Sequence, residues 1–390
     1  MVDIDIKETA TDKSSPFNIK IFQLSGLGKD FLVKTIDISN TKKSIIENKE
    51  KGDLKNKKII FEKSKVIKDF DDIKNLIETD DKKEVNDFFG RQTWLNDRYN
   101  IFHATLKFNP YNNIKRVEEI SGFLNYYYSY SKNIVFIPNV VKNYTPYDKE
   151  KKKSGNRVEI IDFDDYIKLV DELYDFFENM NNKPIFVPIS LKFSIGDVKK
   201  LVDYYLKKER YYFWIDFETY PVNENISAQI REINTTLRNS KYFDKCLLFV
   251  TNIKREIISH SKLDKSPASD ILGMLCGANL VGVDKNPQKG GINPPEDPEK
   301  LKLLREHKAR VFDPNTYYYF KPKNQVISKE QNITDNSILL SYEFDKQKKK
   351  FLEKSEIKTY LGTKNMIKEH HKGKLLKEFS LDESGQKTLF

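Results

Sequence analysis

One pattern constrains this chain more than any other. From residue 58 onward, short β-rich runs alternate with segments of helical periodicity. The runs are Lys58–Glu62, Tyr99–Phe108, Ile134–Asn139, Pro184–Phe193, Tyr211–Glu218, Cys246–Asn252, Asn279–Asp284 and Ala309–Asp313. The helical segments between them cover roughly 69–90, 112–130, 162–181, 195–209, 223–240, 267–277 and 296–308. Strands that alternate with helices form βαβ units and a parallel sheet. Eight such runs fit an α/β fold of the (β/α)8 TIM-barrel type; an open doubly wound sheet is the second arrangement that the pattern allows.

The flanks divide the chain into three expected parts. Residues 1–57 hold a flexible arm and a β-hairpin made of Phe17–Leu24 and Phe31–Ile38. Residues 58–322 make the barrel, and residues 323–390 a basic C-terminal appendage with a flexible tail. Between the hairpin runs, Leu24–Lys29 has two glycines and a lysine but not the spacing of a phosphate-binding loop, so it reads as a turn. Asp162 or Asp164 caps a helix whose apolar stripe runs through Ile167, Leu169, Val170, Leu173, Phe176 and Phe177. Ser194 caps the helix of Val198, Leu201, Val202 and Tyr205. The loop 285–298, with four prolines and two glycines, follows the seventh run and would lie at a catalytic rim.

Composition enters as a set of exclusions. The longest apolar runs, about ten residues, are too short to span a bilayer. The N-terminal stretch has no apolar signal core. Two cysteines, Cys246 and Cys276, exclude a disulfide framework and a cysteine-rich zinc site. These features describe a soluble, cytoplasmic protein. The net charge of +10 is compatible with a nucleic-acid partner, and half of that excess lies between Glu343 and Phe379, where 11 lysines face 6 acidic residues. A basic stripe meets phosphates or forms a solvated helix face.

The functional signal lies in strand parity. Side chains at i and i+2 share one face of a strand. In YYFWIDFETY, Trp214, Asp216 and Glu218 share one face, and the wholly apolar Phe213, Ile215 and Phe217 share the other. His103, Thr105 and Lys107 form a polar face on their strand, as do Ser190 and Lys192 on theirs. Asn139, Asn252 and Asp284 each end a run. Polar residues thus collect at the carboxyl ends of strands, where α/β folds build their sites. Asp216 and Glu218 are candidates for a nucleophile and a general acid/base, or for a divalent metal. Two neighbouring carboxylates raise one of the two pKa values, which suits proton transfer. Lys192 is a cation for a phosphate or a carbonyl, or the partner of Asp216 in a buried ion pair. His103 is either a catalytic base or a hydrogen-bonded interior histidine. Asn139, Ser190, Asn252, Asp284 and Lys107 are the expected substrate-binding residues.

Asp270-Ile-Leu-Gly-Met-Leu-Cys-Gly-Ala-Asn-Leu-Val-Gly-Val-Asp284 resembles the late helix–strand unit of TIM barrels. Within barrel enzymes the chain is similar to the tRNA-guanine transglycosylase-like group. That resemblance implies base exchange at strand-end aspartates and a nucleic-acid substrate; the group's zinc-binding cysteine cluster is absent here. Asp216-Phe217-Glu218-Thr219 resembles the first motif of DEDD-type 3′–5′ exonucleases, which implies Mg²⁺ held by both carboxylates for phosphodiester cleavage. Gln386, Leu389 and Phe390 resemble a truncated sliding-clamp-interacting peptide, which implies a DNA-associated partner.

Three functions follow as expectations. The first is a transferase of the transglycosylase type, working on a nucleic-acid or nucleotide-like substrate through Asp216, Glu218, Lys192 and His103. The second is a Mg²⁺-dependent exonuclease-like phosphodiesterase. The third is a non-catalytic DNA-associated protein that binds a clamp through its tail.

Overall fold

The computed structural model of the chain describes residues 4–12, 15, 17–24, 27–52, 54, 57–79, 81–90, 92–96, 98–107, 117–140, 161–180, 183–218, 220, 224–254, 265–285, 309–322, 327–354 and 357–370. The helix expected at 296–308, most of the loop 285–298 and the tail residues Gln386, Leu389 and Phe390 lie outside them.

The N-terminal hairpin exists and keeps the expected run Phe17–Leu24 as one strand, but its other strand differs. β1 (Ile4–Thr11) pairs antiparallel with β2 (Asn18–Leu24), Ile4 opposite Leu24. The segment expected as the arm therefore takes the edge of β2 that Phe31–Ile38 was expected to fill. Leu27 N and Gly28 N both donate to Leu24 O at 2.9 Å, and Gly28 has φ +78°, so a tight turn carries the chain away from β2.

The remaining strands are, in chain order, β3 (Ile36–Asp37), β4 (Ile60–Ile67), β5 (Tyr99–Leu106), β6 (Val135–Phe136), β7 (Asn139–Val140), β8 (Ile185–Pro188), β9 (Tyr212–Asp216), β10 (Leu247–Thr251), β11 (Ile253–Lys254), β12 (Lys265–Pro267), β13 (Leu280–Val281), β14 (Asp284–Lys285), β15 (Val311–Asp313) and β16 (Tyr318–Phe320). A four-stranded parallel sheet has the order β3-β4-β5-β7, and a five-stranded parallel sheet the order β13-β10-β9-β8-β6. β11 pairs with β14 in a two-stranded parallel sheet.

The expected fold class, a (β/α)8 TIM-type barrel with its hairpin and its eighth strand at Ala309–Asp313, is corrected by this topology. The parallel strands divide into a four-stranded, a five-stranded and a two-stranded sheet in place of one ring of eight. Phe31–Ile38 is not a hairpin strand; its end, β3, pairs parallel with β4. β15 belongs to no parallel sheet; it turns back on β16, which also pairs with β12, in a three-stranded antiparallel sheet. The cause is a local turn. Asp313 accepts from Asn315 N at 3.0 Å and from Thr316 Oγ1 at 2.7 Å, and Tyr317 has φ +63°.

The division between the sheets has a chemical cause at one edge. Residues 134–140 supply β6 to β8 and β7 to β5, and Pro138, which has no N–H to give to a ladder, stands between them. At the other edge, Thr35 N donates to Val281 O and Val281 N to Val33 O, both at 2.9 Å. The two sheets face a common interior. There Phe136, Trp214 and Phe249 pack around His103.

Two helices lie close to the cleft described below, one packing Phe163 and Tyr166 on Phe193 and the other beginning at Ile195. The first spans Phe163–Glu178; Asp162, not Asp164, caps it by accepting from Asp164 N at 3.0 Å. It buries Tyr166, Leu169, Val170, Leu173 and Phe177, so the stripe turns toward Tyr166, and Ile167 and Phe176 are only partly buried. The second spans Ile195–Lys207, and Ser194 caps it by accepting from Asp197 N at 3.2 Å. A cap of this kind stabilises a helix by roughly 1 kcal/mol. The long helix Lys329–Lys354 reaches into the core through Leu340, Phe344 and Phe351, and Phe351 meets Phe17 edge-on. No helix among the described residues is long and apolar enough to cross a membrane.

Candidate active site

The carboxyl ends of β8 and β9 open into a cleft of about 380 Å³. Its walls include Lys192, Ser194 and Ile195 after β8, and Asp216, Glu218 and Tyr220 at and after β9; Gln229 comes from the helix that follows. The lip is partly apolar: Ile195 is 45% exposed and Tyr220 44%.

Asp216 is the fixed member. Its Oδ1 accepts from Glu218 N at 2.7 Å and from Asn252 Nδ2 at 2.8 Å, and its Oδ2 accepts from Thr105 Oγ1. Three donors from three segments thus converge on one buried carboxylate. Asn252 reaches it from a left-handed backbone, φ +58°, just after β10, and also donates to Ser64 Oγ at 3.0 Å.

Glu218 is held differently. β9 ends at Asp216, and Glu218 has φ +48°, so the extended alternation stops before it. Its shared side with Asp216 comes from this turn rather than from strand parity. Its side chain is only 6% exposed, and Oε1 has no hydrogen-bond partner. Burial pushes the carboxyl up and the charge of Asp216 adds to that; Lys192 and Lys107 pull it part of the way back, and it settles at about 7. Lys192 Nζ lies 3.6 Å from Glu218 Oε2 and 4.1 Å from the centre of the Tyr220 ring. The ion pair of the cleft is therefore Lys192–Glu218, in place of the alternative pairing of Lys192 with Asp216.

The cleft region thus brings together Asp216, Glu218, Lys192 and Asn252, with Lys107 near enough for its charge to act on Glu218. Ser190 is buried behind it, with Lys192 N 3.4 Å from its Oγ. Asn139 is buried opposite Thr105 in the β5–β7 register and accepts from Tyr166 OH at 3.3 Å. Asp284 sits apart, paired with the buried Lys34 at 2.8 Å.

His103 is fully buried and belongs to a second polar cluster, walled off by aromatic rings. Its Nε2 lies 2.6 Å from Glu62 Oε1. That oxygen also accepts from Thr251 Oγ1 at 2.6 Å, while Oε2 accepts from Thr35 Oγ1 and from Val283 N at 2.9 Å. Burial acts to raise the Glu62 carboxyl, but the His103 hydrogen bond and charge, with Thr251 and Thr35, outweigh it and hold it down at about 2. Gly282 leaves the space for this cluster: a Cβ there would overlap the Thr251 side chain and lie 2.8 Å from Glu62 Oε2.

Glu62, Thr251, Thr35, Ser64 and Tyr220 were not among the expected site residues. The parity rule carries a signal for two of them, since Ile60, Glu62 and Ser64 alternate with Phe61 and Lys63. The donor set of the cleft does not suit the Mg²⁺ alternative. Asp216 and Glu218 are joined by no third ligand: among the described residues there is no group of three or more His, Cys, Asp or Glu able to hold a metal ion. The Lys192 ammonium beside Glu218 adds a like charge where a cation would bind, so the residues do not fit a DEDD-type centre. No protein-family model matches the chain and no curated protein matches it, so its chemistry has to be read from this geometry.

Proposed function

We propose that this cleft belongs to a cytoplasmic enzyme that breaks or exchanges a glycosidic bond in a nucleotide-like substrate. The observation that carries the reading is the pair of neighbouring carboxyls in opposed settings. Asp216 is saturated with donors, whereas Glu218 is buried, half-protonated near neutral pH and keeps one oxygen without a partner. Glycosidic chemistry uses such a division, with one acid to protonate the leaving group and one carboxylate to face the sugar cation.

In this reading Glu218 gives its proton to the departing base as the C1′–base bond breaks, and the bond electrons leave with the base. Asp216 faces the positive charge that develops on the sugar. Water or an incoming base then bonds to C1′, and its proton returns to Glu218. The exposed Tyr220 ring offers a stacking face for the base. The net charge of +10 favours a phosphate-bearing partner. Cys246 is free and buried, which accords with a reducing compartment.

The test is release of free base from ribo- and deoxyribonucleotides and from short oligonucleotides, followed by chromatography. Glu218→Gln should lower kcat by roughly 10²- to 10⁴-fold. Turnover that depends on the protonated acid should decline as pH rises past about 7. Wild-type protein that releases no base from any of these, or a Glu218→Gln variant as fast as wild type, would remove the proposal.

A further inference from the structure

The cleft lysine is poised between two partners and committed to neither. At 3.6 Å from Glu218 Oε2, Lys192 Nζ is beyond a good charge-assisted hydrogen bond, and its second neighbour is the Tyr220 ring face at 4.1 Å. Lys192 is 17% exposed and Glu218 6%, so the cation stands nearer the mouth and the acid deeper. Glu218 also lines this cleft, and its Oε1 is buried without a partner. The helix Ile195–Lys207 begins at the same lip, adding the positive end of its dipole, partly answered by Asp197 in its first turn.

We propose that Lys192 is a transferable phosphate anchor: it leaves Glu218 for the phosphate of a bound nucleotide or nucleic-acid end, and Glu218 takes up a proton as it does so. The inference rests on the acid–base reading of Glu218 and adds what arms that acid. Its charge logic is simple. Glu218 is faced by Asp216 from β9, Lys192 from the β8 loop, Lys107 after β5 and the neutral phenol of Tyr166 from its helix, with Tyr220 at the lip. With both carboxyls charged, the two acids and two lysines sum to zero. With Glu218 protonated they sum to plus one, and the cleft attracts an anion. Anion binding and proton uptake must then favour each other, by reciprocity of linkage. The cleft volume of about 380 Å³ is that of a small-ligand site, large enough for one nucleotide.

The experiment is titration calorimetry of the full chain at pH 7.5, in buffers of different ionisation enthalpy. The ligands are the four ribonucleoside 5′-monophosphates, the matching nucleosides, and short oligonucleotides with and without a 5′-phosphate. The expected result is tighter binding, by about tenfold or more, of the phosphorylated member of a pair, with net proton uptake. Lys192→Met should erase the phosphate preference and Lys192→Arg should retain it. Glu218→Gln should keep the phosphate preference and lose the proton uptake. Preference for monophosphates alone assigns the anchor to free nucleotides; preference for phosphorylated oligonucleotides alone assigns it to a nucleic-acid end. Equal affinity for phosphorylated and unphosphorylated ligands, binding without proton uptake, or no binding of any phosphorylated ligand overturns the inference. Linked proton uptake without base release would refute the glycosidic chemistry and leave the anchor standing. Base release without a phosphate preference would do the reverse.

Discussion

Glu62 and Glu218 are two buried glutamates of one interior region, and their proton affinities lie far apart. Glu62 is fully enclosed, accepts from His103, Thr251, Thr35 and Val283 N, and sits at about 2. Glu218 is almost as buried, has a lysine at 3.6 Å and an oxygen with no partner, and sits at about 7. Burial pushes both upward. The difference comes from the donors: four converge on the first, while the second has a loose ion pair and a carboxylate neighbour. A saturated acid holds the sheets together, and an unsaturated one can exchange protons. Strain at function tends to come with a cost in stability, and Glu218 has the positive φ to match.

The largest effect should come from closing the space beside Glu62. Gly282→Ala places a Cβ inside the Thr251 side chain and against Glu62 Oε2. Both neighbours are buried and hydrogen-bonded across the sheets, so neither can move aside freely. We expect a loss of about 4 kcal/mol or more, enough to leave little soluble protein. A variant that melts within a few degrees of wild type would show that the Glu62 cluster is slack.

Acid should reveal Glu62 next. Its carboxyl falls from an ordinary 4.5 to about 2 on folding. The folded state therefore gains stability that is complete above pH 4.5 and is lost as pH falls toward 2. Urea unfolding of Glu62→Gln between pH 3 and 7 should show a weaker protein at pH 7 and a flatter acid limb. Curves that run parallel to wild type would contradict the assignment.

Glu218 should give the opposite slope. Its carboxyl rises from 4.5 to about 7 on folding, so the native state holds the proton more tightly than the unfolded chain. Stability then falls as pH climbs from 4.5 to 7, and the cost, about 3 kcal/mol at most, is complete above 7. Glu218→Gln removes the charge at nearly constant shape. It should be more stable than wild type at pH 8, by about 2 kcal/mol, and indistinguishable near pH 4.5. A variant less stable than wild type at pH 8 would mean that the Lys192 pair outweighs burial.

These contrasts also explain what could be read before the fold was known. Asp216 and Asn252 were visible as polar residues at the ends of runs, where α/β folds gather polar groups; Lys192 was visible by the same pattern, although β8 ends at Pro188, before it. Glu218 was legible by spacing, although the turn at φ +48° is what puts it there. For His103 the strand pattern left a catalytic base and an interior histidine equally open; what makes it interior is Glu62, 41 residues away on the neighbouring strand, which no local pattern names. Val283 N, which completes the Glu62 cluster, is 221 residues distant. The sheet topology failed where the choice was between partners. An apolar run such as Phe31–Ile38 suits an antiparallel or a parallel neighbour equally well; in the fold Ile4–Thr11 pairs with β2, and the end of Phe31–Ile38 pairs parallel with β4. Pro138 was visible in the run Ile134–Asn139, yet its effect, handing one segment to two sheets, depends on neighbours that no local pattern names.

The smallest effect separates the two acids most cleanly. Lys192→Met removes a cation 3.6 Å from Glu218 and leaves Glu62 untouched. In a water-like dielectric a pair at that distance is worth about 1 kcal/mol, or a little under one unit of proton affinity. Because Lys192 lowers the Glu218 carboxyl, its removal should move that titration upward from about 7. Carboxyl-carbon NMR of glutamate-labelled protein would follow both residues in one experiment, and the Glu62 signal should stay unchanged down to the acid limb. No movement of Glu218 would mean that the ammonium spends its time on the Tyr220 ring, 4.1 Å away, and already stands clear of the acid. A lysine so placed could still meet a phosphate, but the proton uptake expected from its transfer would then have no source.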